Sequence, residues 1–477
     1  NYLFFIILFC NPRTYVLGYF LFKKMIDFKY NICYKHICKL TLTYGVLKMK
    51  TNKAIKKEPV YTYEGGKASH ISELEELKRA TMSCLLWEDN FYEDGVSIAD
   101  RITSLVKACI DKGHYNDVID ILNKVKFDMR LRHCPLWMIV AVYKAGKTIS
   151  KDVIASILTR PDDMGELLSL YRKDNEKSPI PNAIKKGMAI AMKKFDEYQL
   201  AKWNRNANYK LVDIVNLCHP KVTEAIDKLV KGTLETPKTW EVLLSAAGSD
   251  KEKKKDVWID LIESNKLPDM ALLKNIRGML ESGVSKTVIV DRINMIKSGR
   301  LLPIDYIRAA ENNPSLENEI EKKFLNCFEK PSLYGKTAIL VDVSGSMDGE
   351  RLKYANALAM IGREMCSDVD IYSFSDYIKS IPNRRGFALA EAIDKSQTHW
   401  GTNMWAAITE VEKNHYDRII VITDEQTMGS PHNAKIKNAY MINVASYSKG
   451  VGYGNNYKHI NGFSDKVFNY ISEIENV

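Results

Sequence analysis

The stretch TAILVDVSGSM, residues 337–347, decides the fold. Its apolar residues, many of them β-branched, run without alternation into small hydroxyl residues and are broken only by Asp342. Such a run, followed by a helical pattern over 350–366, reads as a buried parallel strand feeding a helix. In an open α/β sheet, ligands bind beyond the carboxyl ends of the strands. Asp342, Ser344 and Ser346 therefore belong on a loop at the functional edge of a sheet. One carboxylate and two hydroxyls are hard oxygen donors. They suit Mg²⁺, with Mn²⁺ or Ca²⁺ as alternatives, and do not suit zinc or copper. Three oxygens do not fill an octahedron, so other loops must contribute. Thr402 precedes a helical run at 404–413, and Asp424 follows the apolar strand RIIVIT at 418–423. The plainer reading is that Ser344 and Ser346 only cap the next helix. A serine-hydrolase reading finds little support, since neither serine has a His nearby in sequence and Ser-x-Ser is not a nucleophile elbow.

Around this stretch the pattern alternates strands (336–343, 369–374, 418–423, 439–444) with helices (350–366, 387–395, 404–413, 465–474). That alternation predicts a parallel, doubly wound sheet over 335–477. Asp348 and Asp376 read as ordinary surface carboxylates.

Upstream, from residue 72 to about 328, the apolar spacing is helical almost throughout, with breaks at Gly113, Pro135, Gly146, Pro161, Pro179, Pro181 and Pro220. Ser72-Glu73-Leu74-Glu75 has the form of a capping box. Stacked helix pairs, an α-solenoid occupying 49–330, are the expectation. The chain of 477 residues, 45% hydrophobic and 27% charged, has the composition of a globular protein. Nine cysteines without a regular pattern point to a reducing compartment, the cytoplasm, rather than a disulfide scaffold.

Residues 1–48 differ in character. They carry NYLFFIILFC and YVLGYFLFKK, neither long enough to span a membrane, and the chain begins with Asn1. The expectation is a non-native leader, with Met49 as the start and no membrane span; an anchor is the alternative. This leader holds seven Lys/Arg against one Asp, so it carries six of the ten net positive charges. What remains is too mild to imply nucleic-acid binding from net charge, so a basic surface has to be local.

One stretch supplies it. In 181–221, Ile184, Met188, Met192 and Phe195 step along one helix face, while Lys185, Lys186, Lys193 and Lys194 lie off it. Lys202, Trp203, Arg205, Lys210, His219 and Lys221 follow. Basic residues with an aromatic among them suit RNA, charges for phosphates and a ring for stacked bases. A solvated helix face with a core Trp is the plainer reading.

Asp342, Ser344, Ser346, Thr402 and Asp424, in that order, resemble the metal-ion-dependent adhesion site of a von Willebrand factor A domain. KKGMAIAMKKFDEYQLAKWNR, LVDIVNLCHPK, TPKTWEVLLSAAG and LPDMALLKNIRGM resemble the TROVE module of the Ro autoantigen family. That resemblance implies a ring of HEAT-like helical repeats (α) followed by an α/β von Willebrand A domain, in a monomer that closes its own ring. It implies RNA binding without catalysis. Small non-coding Y-like RNA would bind the ring's outer surface, and single-stranded ends of misfolded RNA would enter its hole, in RNA quality control or turnover. An exoribonuclease partner, and an acidic group from a partner at the metal, are implied in the same way. By position the RNA contacts fall on Lys202 and His219; a second basic residue of the family falls on Asn206, with Arg205 beside it. Arg130 and Arg132, with His133, are further candidates. Two other functions stay open: a metal-dependent scaffold whose repeats bind protein, and a metal hydrolase, for which no general base is evident.

Overall fold

The computed structural model describes residues 58–173, 178–205, 207–297, 301–327, 332–398 and 400–475. The expected leader and its boundary at Met49, and Asn206, lie outside the described residues.

A short antiparallel hairpin comes first, β1 (Val60–Tyr61) and β2 (Lys67–Ala68). Helices then follow one another. They are α1 (Glu73–Met82), α2 (Gly95–Asp111), α3 (Tyr115–Phe127), α4 (His133–Lys144), α5 (Lys151–Ile157), α6 (Pro161–Arg172), α7 (Asn182–Met192) and α8 (Glu197–Trp203). The array continues with α9 (Leu211–Cys218), α10 (Glu224–Lys231), α11 (Trp240–Ala246), α12 (Lys251–Glu263), α13 (Asp269–Glu281), α14 (Lys286–Asn294), α15 (Pro303–Asn312) and α16 (Glu317–Leu325). Each packs mainly on helices one or two places away in the chain, as stacked repeats do. The capping box at Ser72 is formed, with the Glu75 carboxylate accepting the Ser72 backbone N–H at 2.8 Å.

The sheet follows, with strands β3 (Leu333–Asp342), β4 (Cys366–Phe374), β5 (Ile378–Ser380), β6 (Arg418–Thr423), β7 (Asn438–Asn443) and β8 (Lys458–Asn461). Their order is β5-β4-β3-β6-β7-β8, all parallel except the antiparallel edge β5. Helices α17 (Glu350–Met365), α18 (Gly386–Asp394), α19 (Met404–Val411) and α20 (Lys466–Glu475) complete it. The period of two along β3 sorts its side chains onto two faces. Ile339 and Val341 join Ile420, Ile442, Ile361 and Phe468 in the larger core, which runs on into the helical array. Ala338 and Leu340 join Val421, Met441, Met404 and Ile408 on the opposite face. Both faces are therefore covered, as a doubly wound sheet requires. Three elements were not foreseen: the β1–β2 hairpin, β5 and β8. Each is two to four residues long, too short for a periodic signal.

Residues from Val60 onward form one compact unit. The array returns on itself: Arg130, after α3, donates to the Leu301 carbonyl at 2.7 Å and pairs with Asp465 at 3.0 Å, just before α20. At the start of the array, Ser83 reaches the Asn443 carbonyl and Arg101 the Ser446 carbonyl. At its end, Arg308 pairs with Glu350, and Glu311 with Lys353 at 2.8 Å.

Candidate metal centre and candidate nucleic-acid face

The chain order of the sheet reverses between β3 and β6, where open α/β sheets place their ligands. Asp342 ends β3, and Asp424 follows the last residue of β6. One Asp342 carboxylate oxygen accepts the Ser344 backbone N–H at 2.9 Å; the other accepts the Thr423 hydroxyl at 2.6 Å. The Ser344 and Ser346 hydroxyl oxygens lie 3.4 Å apart. Gly345 N–H donates to the Trp400 carbonyl at 3.0 Å, which ties this loop to the one carrying Thr402. Met428 N–H donates to the Thr402 carbonyl at 3.0 Å, which ties that loop to the one after Asp424. The five residues read from the sequence thus meet at one sheet edge, each 5% exposed or less.

The electrostatics of this cluster are unbalanced. Burial pushes the Asp342 and Asp424 carboxyls well above the usual carboxylate range, and the charge of Asp424 pushes Asp342 further. Asp424 Oδ2 is buried with no hydrogen-bond partner among the described residues, although its Oδ1 accepts the Gln426 N–H at 3.0 Å. Buried carboxylates without cationic partners are costly. The donor set, two carboxylates and three hydroxyls, is all hard oxygen and fits a Mg²⁺-like cation. Among the described residues no three His, Cys, Asp or Glu side chains converge, so such a site depends on its hydroxyls.

Next to Asp424, Glu425 is fully buried and has φ +61. Burial alone would raise its pKa; Arg79 from α1 and His459 from β8 outweigh burial and hold it low. A helix of the array thereby grips the loop of the candidate metal centre. Nothing local in the sequence signals this pair, because 346 positions separate its members.

The basic stretch divides into two surfaces. Lys185, Lys186 and Lys193 on or just after α7, His219 capping α9 with φ +47, and Lys221 line one depression of about 550 Å³. Lys151, at the start of α5, completes it and was missed in the sequence. The signal available was Gly187 inside the lysine helix: a Cβ there would meet Ile154 at 2.7 Å, so α5 and α7 approach closely at that glycine. No carboxylate lines this depression, and none of its five lysines is in an ion pair among the described residues.

The second surface is built around Trp203, half-buried rather than in the core. The Arg160 guanidinium lies 3.7 Å from its ring centroid, Arg205 4.8 Å, and the Lys202 ammonium 5.7 Å. Trp203, Arg205 and Arg132 line a depression together with Asp162 and Glu166. Arg132 is held by Asp163 at 3.0 Å and Asp162 at 2.7 Å, and His133 faces Glu166 at 3.3 Å. Two candidates stand apart from both surfaces. Lys194 donates to the Ala155 carbonyl at 3.0 Å, near the end of α5, and Arg130 closes the array as described.

Three comparisons bear on this architecture. The family model described as TROVE domain matches residues 228–366. Over 96 residues the chain is 33% identical to telomerase protein component 1 of Mus musculus and 32% to that of Rattus norvegicus. Each match covers 19% of this chain and 4% of the relative, so this chain accounts for a small part of either one's length. The solved structure of the Ro (RSR) protein of Deinococcus radiodurans is similar in fold, with a TM-score of 0.53 at 15% identity, covering 84% of this chain and 99% of that one. No described helix is long and apolar enough to cross a membrane. Residues 228–366 thus resemble the TROVE domain, and the chain has the fold of the Ro protein, a helical array joined to an α/β sheet domain.

Proposed function

We propose that this chain is a Ro-type RNA-binding scaffold without catalysis of its own. Its array holds small structured non-coding RNA on the outer surface and takes single-stranded ends of misfolded RNA. It works as a cytoplasmic monomer in RNA quality control or turnover, with an exoribonuclease among its partners. The observation that carries this reading is the depression of five lysines and His219 with no carboxylate in its lining. Phosphates are what such a surface neutralises, and counterion release would make binding steeply salt-dependent. On the second surface, Trp203 with its cationic neighbours offers a ring for an unpaired base.

The second part of the reading is a divalent cation, Mg²⁺ first, on Asp342, Ser344, Ser346, Thr402 and Asp424. The unpartnered Asp424 oxygen and the strained charge state of both carboxylates support it. The cation would neutralise the pair and present a coordination position to an acidic group. The test of the RNA reading is sequencing of RNA that copurifies with the full chain, beside the variant Lys202→Ala with His219→Ala. One abundant small RNA, lost from a folded variant, is the expected result. A chain that carries no RNA at low salt turns the reading to a scaffold for protein, for which the mixed-charge depression around Arg132 and Glu166 is the surface.

A further inference from the structure

A cavity of about 490 Å³ lies on the seam where the end of the array meets the sheet domain. Its walls are apolar: Ile307 and Ala310 from α15, Leu352 from α17, and Phe387 and Ala390 from α18. Phe387 is fixed by α16. Its N–H donates to Glu321 at 2.5 Å, and its ring lies against Phe324 with centroids 6.3 Å apart. The seam itself is pinned by Lys353 with Glu311, 2.8 Å apart, and by Arg308 with Glu350.

The rim has the opposite sign to the lysine face of α7. Five carboxylates line the cavity, Glu311, Glu317, Asp348, Glu391 and Asp394, and all are exposed. Lys353 is its one cation among the described residues, and it is already paired with Glu311. Acidic residues crowd many surfaces, and by themselves they would only be solvated. The lining holds a second feature that solvation does not answer. Asn356, in α17, is 6% exposed, and its Oδ1 is buried without a hydrogen-bond partner among the described residues. A buried amide oxygen left bare costs stability until a donor reaches it.

The volume is that of a pocket for a small group. The carboxylates and the bare amide oxygen all accept hydrogen bonds, so the occupant must donate. A phosphate is repelled by the rim. An ammonium donates from one point, whereas a guanidinium donates five N–H groups in one plane, enough for a buried amide oxygen and rim carboxylates together. Its methylene stem suits Ile307 and Leu352, and its plane can lie on the Phe387 ring.

We propose that this cavity receives an arginine side chain from a basic segment of a partner protein. The guanidinium meets Asn356 Oδ1 and the rim carboxylates, and the stem lies against Leu352 and Phe387. The site depends on neither the lysine face nor the metal centre.

The experiment is fluorescence anisotropy with the full chain and a fluorescein-labelled peptide of alternating arginine and leucine, beside its citrulline counterpart. The expected result is saturable binding, about tenfold tighter for the arginine peptide than for the neutral one. Asn356→Leu removes the oxygen at nearly equal volume, and Ala390→Leu fills the cavity; neither changes a charge. Each should weaken the arginine peptide about tenfold with a melting temperature unchanged or raised. If Asn356→Leu fails to fold, Ala390→Leu decides alone. Glu317→Gln with Glu391→Gln, at two exposed positions, should weaken binding about fivefold. Binding that falls in this rim pair but survives both charge-neutral variants is general attraction to a negative surface and overturns the proposal. Absence of saturable binding overturns it too. Spermidine that displaces the peptide at equal concentration makes the occupant a polyamine and overturns the assignment to a protein.

Discussion

Glu425 shows how a single side chain ties the array to the sheet. It is fully buried, its backbone is left-handed at φ +61, and Arg79 and His459 hold it from two different elements. Removing one partner of a buried pair leaves a charge with too little compensation. Arg79→Met should cost about 3–5 kcal/mol in denaturant unfolding. A loss below about 1 kcal/mol would show the pair to be screened by water. The carboxylates beside it act in the opposite sense. Burial raises Asp342 and Asp424 in the folded state, so without metal they contribute stability at low pH that is lost as pH rises through their folded values. In chelator the melting temperature should fall between about pH 5 and 7, and Asp342→Asn should flatten that fall. Glu425, held low, is ionised across this window in both states and adds nothing to the slope. Excess Mg²⁺ should restore stability most at the alkaline end. A melting temperature independent of pH and of Mg²⁺ would speak against a charged, metal-seeking pair. These five centre residues were legible in the sequence because each sits at a strand end or before a helix, where local pattern marks the position. Arg79 was not, because its role comes from a tertiary contact with Glu425, 346 positions along the chain.

At the scale of elements, the helix α7 and the end of α9 form one charged face because Gly187 lets α5 come close. The period of α7 was readable and so were its lysines; the contribution of Lys151 depended on a packing partner that periodicity does not name. If this face holds phosphates, the double change Lys185→Ala with Lys193→Ala should lower the slope of log affinity against log salt by about two. Filter binding across a salt series would measure it, and an unchanged slope would move the RNA elsewhere. Trp203→Ala should instead weaken binding of unpaired RNA by about 1–3 kcal/mol with the salt slope nearly kept, since stacking is not ionic. The hairpin offers the complementary case. Gly66→Ala forces a Cβ into the Thr427 carbonyl, so the amides of Tyr63 and Lys67 should lose protection from hydrogen exchange while β3 keeps its own. Such a short hairpin has no pattern to betray it, and the same holds for β5 and β8.

At the scale of the molecule, the order of helices followed by alternating strands and helices was enough to give both layers of the fold. Their union was not, since no local pattern marks the long-range contacts that join them, among them Arg79 to Glu425, Arg101 to the Ser446 carbonyl, Arg130 to Asp465 and Leu301, and Arg308 to Glu350. A chain of this size ordinarily unfolds in parts. Here the larger apolar core runs from Leu77 through the array to Ile471 in α20 without a break. Opening the array would expose the sheet's own core, so array and sheet should unfold together. Coincident transitions by independent probes are the mark of that. Hydrogen exchange read by mass spectrometry at rising denaturant should show α13 and β3 losing protection over the same range. Arg79→Met combined with Arg130→Ala removes a contact at the start of the array and the one that closes it, and should separate the two ranges, with α13 opening first. Protection in β3 that outlasts α13 already in the unaltered chain would mean that the sheet stands alone and the array is only attached to it.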